Sequence, residues 1–147
     1  MLTDKNTFIS FSPISYKGTF VPDTAHINQT KYGIAADKRS KNELGAYLTL
    51  NSKLVLFEKV SMSNRLQLFS NFLSKPQNVD VEWEMIATTS LNWFTDLRLN
   101  VHLIYDDDTM LPVFDNGEPV LGDDGKQKKA PMVQFKELLG VSFVFKF

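Results

Sequence analysis

The amino-acid sequence predicts an all-β fold, arranged as an antiparallel up-and-down meander of about six strands. Three observations support this prediction. Successive segments alternate between apolar and polar residues, which is the period of a strand with two unlike faces. No segment shows the 3.6-residue period of an amphipathic helix. The connections alternate between long and short, as expected when antiparallel neighbours are joined at opposite ends.

The first two predicted strands differ in regularity. The first covers about residues 7–21 and is interrupted by Pro13, which favours an edge strand or a bulge. The second covers residues 44–56, where the even positions are apolar apart from Ser52 and the odd positions are mostly polar. That length suffices for a tilted strand to cross a lipid bilayer, which takes roughly 9–11 residues.

The remaining predicted strands cover residues 62–72, 79–87, 95–105 and about 133–147. Alternation is most regular in 95–105, where apolar residues at the odd positions oppose Asp96, Arg98, Asn100 and His102. At 147 residues, the chain is long enough for one domain, residues 1–147, and predicts no second domain.

The lengths of the connections indicate an orientation. Residues 23–42 and 106–132 are long and polar, 73–78 are intermediate, and the connections near 58–59 and 90–92 are short. The longer connections therefore follow the first, third and fifth strands. Outer-membrane β-barrels have long outer loops and short periplasmic turns in the same alternation. This predicts that the C-terminus lies on the periplasmic side.

The last nine residues predict a strand, because their odd positions are all apolar: Leu139, Val141, Phe143, Phe145 and Phe147. A soluble domain rarely ends on such an edge, because it invites aggregation, whereas a closed barrel in lipid has no free edge. The pattern resembles the C-terminal strand of bacterial outer-membrane β-barrels. The resemblance implies that these residues face outer-membrane lipid and are used by the barrel-assembly machinery.

Five short motifs occur in order along the chain. They are residues 16–23 (YKGTFVPD), 43–48 (ELGAYL), 81–84 (VEWE), 103–108 (LIYDDD) and 134–141 (QFKELLGV). Together they resemble a domain-of-unknown-function family of envelope proteins of Bacteroidota. The resemblance implies an outer-membrane-type barrel segment of unassigned activity, with no catalytic residues to assign. Members of the family are normally longer than this chain and begin with a signal segment.

The strand count and the first residues point to a longer protein. Outer-membrane barrels begin at about eight strands, so six are too few to close. Residues 1–7 lack the charged and then apolar pattern of a signal segment. We therefore predict the C-terminal part of a larger barrel in the bacterial outer membrane, its signal segment removed or upstream.

Composition excludes several classes of protein. The net charge of −1 without a basic patch argues against nucleic acid as a partner. The absence of cysteine excludes disulfide frameworks and thiol chemistry. Phosphate-binding glycine loops and zinc-protease motifs are missing. The two histidines, His26 and His102, lie near no nucleophile-elbow pattern. The sequence predicts a protein that is not an enzyme and that binds no cofactor and no metal. His26 has two interpretations, a catalytic residue on the outer rim or a solvated loop residue.

Four charged residues are candidates for a polar pair inside the barrel: Glu82, Glu84, Arg98 and His102. If the apolar residues of 97–105 meet lipid, all four point inward. A turn centred near Leu91 would place Glu84 opposite Arg98, and Glu82 opposite Asn100 or one step offset toward His102. Such residues either select a solute or move protons in the interior, or they form ion pairs that fill it and hold the structure.

The acidic connection 106–132 has two interpretations. Its carboxylates at 106–108, 115–118 and 123–124 offer oxygen ligands for calcium. Their spacing does not match an EF-hand loop. Asn116-Gly117 and Asp124-Gly125 are instead typical of tight turns, as at the tip of a small outer hairpin.

Two classes of function remain. The first is an outer-membrane β-barrel with a structural, transport or surface-binding role, with aromatic residues at two membrane interfaces. The alternative is a soluble antiparallel β-sandwich or lipocalin-like ligand-binding module. That module would show the same alternation, but its large apolar residues would lie inside and its charges outside.

Overall fold

The computed structural model describes residues 3–23, 25–74 and 76–144. Six long strands follow one another: β1 (Thr3–Phe20), β2 (Ser40–Phe57), β3 (Val60–Asn71), β4 (Asp80–Ser90), β5 (Thr95–Tyr105) and, after a long connection, β10 (Gln134–Phe143). Four short strands lie within that connection: β6 (Met110–Pro112), β7 (Phe114–Asp115), β8 (Glu118–Pro119) and β9 (Lys129–Pro131). A 3-10 helix covers Gln29–Tyr32 between β1 and β2.

The six long strands form one antiparallel sheet in the order β1-β2-β3-β4-β5-β10. The predicted up-and-down meander is therefore confirmed. The pairing of β1 with β2 shifts between Ser12 and Ser15, so a bulge surrounds Pro13 as predicted. Within the described residues β1 and β10 each have one neighbour and do not pair with each other. The sheet is open, without the closure of a barrel.

Several strand bounds differ from the prediction. The bounds of β5 are the predicted ones, whereas β2 begins four residues before residue 44 and β4 extends three residues beyond residue 87. The start of β2 lies opposite the end of β1, where Lys17 pairs with Glu43 and Phe20 with Ser40. Backbone pairing with a long neighbour keeps this polar segment extended although its composition is typical of a loop.

The registers separate two faces of the sheet. One row across the strands joins Leu50, Leu66, Trp83, Leu103 and Phe135, and we call this side the apolar face. The neighbouring row joins Asn51, Arg65, Glu84, His102 and Lys136, and its side is the polar face. The alternation in the sequence therefore becomes two chemically different surfaces.

No second layer covers the apolar face among the described residues. Of the described residues, the buried apolar side chains are Val21, Ile34, Phe69 and Val101; only Val101 belongs to the apolar face, since Phe69 lies opposite Tyr47 on the polar face and the other two lie between β1 and β2. On the edge strands, large apolar side chains remain mostly in solvent, with exposed fractions of 61% for Phe11 and 67% for Leu139. No helix in residues 3–23, 25–74 and 76–144 is long and apolar enough to cross a membrane.

The long connection after β5 folds into small hairpins. Asn116 and Gly117 have φ angles of 50° and 87° in the turn between β7 and β8. Positive φ at both positions is typical of a type I′ turn. Gly125, with φ 72°, donates its N–H to the carbonyl oxygen of Gly122. Both glycine dipeptides thus form the tight turns that the sequence predicts.

Candidate functional site

Charged side chains converge where the strands meet the long connections. We call this group the rim cluster: Lys17, Lys41, Glu43, Asp80, Asp106, Asp107 and Asp108. Lys17 on β1 lies opposite Glu43 on β2, and Lys41 precedes Glu43 by two residues, so all three side chains are on the polar face. Asp80 is the first residue of β4, and Asp106 directly follows β5. The meander therefore brings together residues from distant parts of the sequence.

Glu43 is the centre of the rim cluster and is only 1% exposed. Its carboxylate oxygens lie 3.0 Å from Lys41 Nζ and 3.8 Å from Lys17 Nζ. Asn71 Nδ2 also donates a hydrogen bond to Glu43 Oε1, at 3.3 Å. A buried carboxylate is tolerated when it is paired in this way, because the partners replace the lost water.

Two contacts of the rim cluster span several strands. Lys17 Nζ lies 3.7 Å from Asp80 Oδ2, although β2 and β3 lie between the two strands. Lys41 Nζ on β2 lies 2.6 Å from Asp108 Oδ2, beyond the end of β5. In a flat sheet the backbones of β1 and β4 would be roughly 14 Å apart, at about 4.8 Å per neighbour. The sheet is therefore curved, with the polar face on the concave side.

A cavity of about 440 Å³ lies on this concave side, lined by residues from all of β1 to β5. Its lining includes Lys17, Tyr47, Phe69, Asp80, Glu82 and Asp106. The ammonium of Lys17 lies 5.4 Å from the centroid of the Phe69 ring, which is a cation–π distance. The rings of Tyr47 and Phe69 pack at 6.5 Å between centroids.

Electrostatics in the rim cluster favour bound positive charge. Asp80 precedes the part of β4 that pairs with β5, and it lies at the level of the loop residues Asp106 and Asp107. Burial, together with the negative charges of Asp106, Asp107 and Glu43, raises the pKa of Asp80 to about 6 against the opposing effect of Lys17. Burial lowers the pKa of Lys41, but hydrogen bonds to Asp108 and Glu43 outweigh it and raise this pKa overall.

Three carboxylates come closest to a metal-ligand arrangement. One oxygen each from Asp80, Asp106 and Asp107 lies within 4.8 Å of the others. Asn78 Nδ2 also donates a hydrogen bond to Asp107 Oδ2, so the Asp107 carboxylate already has a protein partner. Of the three consecutive loop aspartates, Asp108 turns instead to Lys41.

The register of β4 and β5 differs from the one predicted for the polar pair. Glu84 lies opposite His102, and Arg98 lies opposite Thr88, so the predicted Glu84–Arg98 pair is wrong. The turn spans four residues, Leu91 to Phe94, and Asn92 Oδ1 accepts the N–H of Phe94 within it. The hairpin is therefore centred near Trp93 rather than Leu91, which shifts every pair.

Glu82 and His102 do meet on the polar face. Glu82 lies opposite Ile104 in the register, but its Oε1 is 3.0 Å from His102 Nε2 along the diagonal. Glu82, Glu84, Arg98 and His102 all lie on the polar face, at positions with the same parity as Asn100. The structure thus brings together one carboxylate–histidine pair and leaves Arg98 apart from it.

The other predicted residues occupy the following places. Leu139, Val141 and Phe143 lie on the apolar face of β10 and are mostly exposed. Phe145 and Phe147 lie outside the described residues. His26 is in the first long connection, with its Nδ1 2.8 Å from Asp23 Oδ2. The hydrogen bond from the His26 side chain lowers the pKa of Asp23.

The centre of the rim cluster was not predicted from the sequence. Residues 41 and 42 were expected in a connection, and no role was expected for Lys17, Glu43 or Asp80. The i, i+2 spacing of Lys41 and Glu43, directly before a regular alternating strand, is the one local signal that extends β2 backwards.

No protein-family model, curated protein or solved structure matches the chain.

Proposed function

We propose that this chain forms part of the wall of a bacterial outer-membrane β-barrel, with the apolar face against lipid and the polar face lining the interior. The observation that carries the proposal is the direction of curvature. The ion pair between Lys17 and Asp80 bridges the polar face, so that face is concave. Most charges of the long strands lie on this concave side and most large apolar side chains on the convex side, with Glu137 and Leu138 of β10 as exceptions.

A soluble module would have the opposite arrangement. Lipocalin-like barrels and β-sandwiches bury their large apolar residues inside and expose their charges. Here Ile9, Phe11 and Leu139 stand on the convex side and are mostly exposed. Transfer of such side chains from water to hydrocarbon contributes roughly 25 cal/mol per Å² of apolar surface. Lipid is therefore the environment that stabilises this surface.

Strand length and the position of aromatic residues also favour a membrane-crossing sheet. β4 and β5 have 11 residues each, close to the roughly 9–11 that a tilted strand needs. The exposed Trp93 lies in the short turn, with Phe94 stacked on Phe143 at 6.3 Å. Aromatic side chains at strand ends suit the boundary between lipid and water.

The two free edges support the proposal of a larger barrel. Among the described residues, β1 and β10 each present a row of backbone N–H and C=O groups without a strand partner in the sheet. In hydrocarbon each such group costs several kcal/mol, and closure removes the cost. We propose that this sheet is the C-terminal part of a larger barrel of the Bacteroidota envelope type, assembled by the barrel-assembly machinery. Its role is structural, transport or surface binding rather than catalysis.

The proposal is tested by labelling alternate positions of β5. The chain has no cysteine, so each single substitution to Cys takes one fluorophore. The odd positions labelled are Leu97, Leu99 and Val101, and the even positions Arg98 and Asn100 are the matched set. In the full chain folded into phospholipid vesicles, brominated lipid should quench the odd positions and aqueous iodide the even ones.

Two outcomes would overturn the proposal. One is a chain that stays in the aqueous fraction, folded and monomeric, when vesicles are floated. The other is the inverted alternation, with iodide reaching the odd positions and lipid the even ones. Either outcome would favour the soluble ligand-binding module.

A further inference from the structure

The cavity on the polar face has the chemistry of a site for a positively charged small molecule. Its volume of about 440 Å³ lies in the range of roughly 300–1,000 Å³ that ligand pockets occupy. Tyr47 and Phe69 supply aromatic surface, and Asp80, Glu82 and Asp106 supply carboxylates. We propose that this cavity binds an organic cation, a molecule with an alkylammonium or guanidinium group.

The ammonium group of Lys17 already lies where the cationic group of such a ligand would bind. Its Nζ lies over the Phe69 ring at 5.4 Å, 3.7 Å from Asp80 and 3.8 Å from Glu43. An aromatic face with two carboxylates is the set of contacts that recognises an ammonium ion. The Lys17 side chain is 47% exposed and comes from the edge strand β1. A ligand cation can therefore displace it into solvent and take over its partners.

The rim cluster has more negative than positive charge. It contains five carboxylates, Glu43, Asp80, Asp106, Asp107 and Asp108, against the two ammonium groups of Lys17 and Lys41. Asp80 is faced by Lys17 from β1, Glu43 from β2, and Asp106 and Asp107 after β5. A bound cation offsets the repulsion among these carboxylates, and only the ionised form of Asp80 attracts it. Binding should therefore weaken as the pH falls through about 6.

The lining favours an organic cation over a bare metal ion. Calcium takes 6–8 oxygen ligands. Here Asp107 is engaged by Asn78 and Asp108 by Lys41, while aromatic rings cover part of the wall. The inference goes beyond the proposed function, because the cavity needs only the folded polar face and not a particular environment for the apolar face.

Calorimetric titration of the full chain, folded in detergent micelles, tests the inference. The probes are 1,5-diaminopentane, agmatine and tetramethylammonium, with glutarate and 1,5-pentanediol as anionic and neutral controls of matched length. The cations should bind saturably with one site per chain, and the two controls should not. Asp80→Asn should weaken binding about tenfold and abolish its pH dependence between about pH 5 and 8, whereas Asp123→Asn in the distal loop should leave both unchanged.

Lys17→Met is the second variant, and it keeps the test decisive if Asp80→Asn does not fold. Removal of the internal ammonium should raise the affinity for tetramethylammonium, since the ligand no longer competes with it. The inference is overturned if the folded chain binds no cation, if glutarate binds equally well, or if Lys17→Met lowers the affinity. It is also overturned if calcium binds more tightly than the organic cations and its binding is weakened by Asp80→Asn to the same extent. Vesicle quenching reports separately on the membrane proposal.

Discussion

At the scale of single residues, the rim cluster depends on a glycine that carries no charge. A Cβ atom at Gly45 would lie 2.0 Å from the carbonyl oxygen of Ser70 and 2.8 Å from the Phe69 ring. The absence of a side chain lets β2 and β3 approach closely beside Glu43, and it leaves room for Phe69 at the wall of the cavity. This close contact lies between two strands, so the residues next to Gly45 in the sequence do not reveal why a glycine is needed there.

Gly45→Ala should therefore destabilise the chain. The added methyl group meets backbone rather than a mobile side chain, and overpacking of this kind costs about 1–3 kcal/mol. Gly140→Ala on β10 is the matched control, because nothing lies within 4 Å of a Cβ there. Urea unfolding in micelles, followed by circular dichroism, compares the two variants. Equal free energies of unfolding would contradict the close contact.

At the scale of elements, the position of a turn decides which residues meet. The β4–β5 connection contains four residues, and Leu91 donates its N–H to the carbonyl oxygen of Thr95. A centre near Trp93 brings Glu84 to His102 instead of Arg98. Alternation predicts which face each residue occupies, but it is identical for every register that differs by two residues.

A pair of cysteines tests this register directly. Glu84→Cys with His102→Cys should form a disulfide on mild oxidation, since directly opposed residues have Cβ atoms about 4.5–5.5 Å apart. Glu84→Cys with Arg98→Cys is the control, and it should stay reduced because Arg98 lies four residues along β5 from His102, the residue opposite Glu84. Gel mobility with and without reductant distinguishes the products. Preferential oxidation of the control pair would restore the turn centred near Leu91.

At the scale of the whole molecule, two ion pairs between distant strands reveal the direction of curvature. Lys17 connects β1 to β4, and Lys41 connects β2 to the loop after β5. The curvature turns the polar face inward, encloses the cavity and leaves the apolar face outside. The proposed function and the proposed ligand both follow from this one property of the sheet.

The stability of the folded chain should therefore depend on pH through Asp80. Its pKa rises from 3.8 to about 6 on folding, so the folded state favours the protonated form. The resulting stabilisation is fully present below about pH 3.8 and is lost as the pH rises through about 6. Asp80→Asn, which imitates the protonated group, should flatten this part of the pH profile in urea unfolding. An unchanged profile would show that Asp80 does not carry the effect.

The sequence by itself determined the all-β class and the up-and-down order of the six long strands. Period-two alternation is a local property, and it located β5 at residues 95–105 and separated the regularly alternating residues into two faces. The turn dipeptides at Asn116 and Asp124 are equally local, because their conformation depends on two adjacent residues. These features need no knowledge of distant contacts.

Only the tertiary structure decided the register, the curvature and the rim cluster. Lys17, Glu43, Asp80 and Asp106 lie far apart in the sequence, and they meet because antiparallel pairing returns the chain to the same end of the sheet. Alternation is the same whether the polar face is concave or convex, so the sequence left the membrane barrel and the soluble module both open. The direction of curvature is a property of the folded sheet alone, because it depends on side chains that reach across several strands at once.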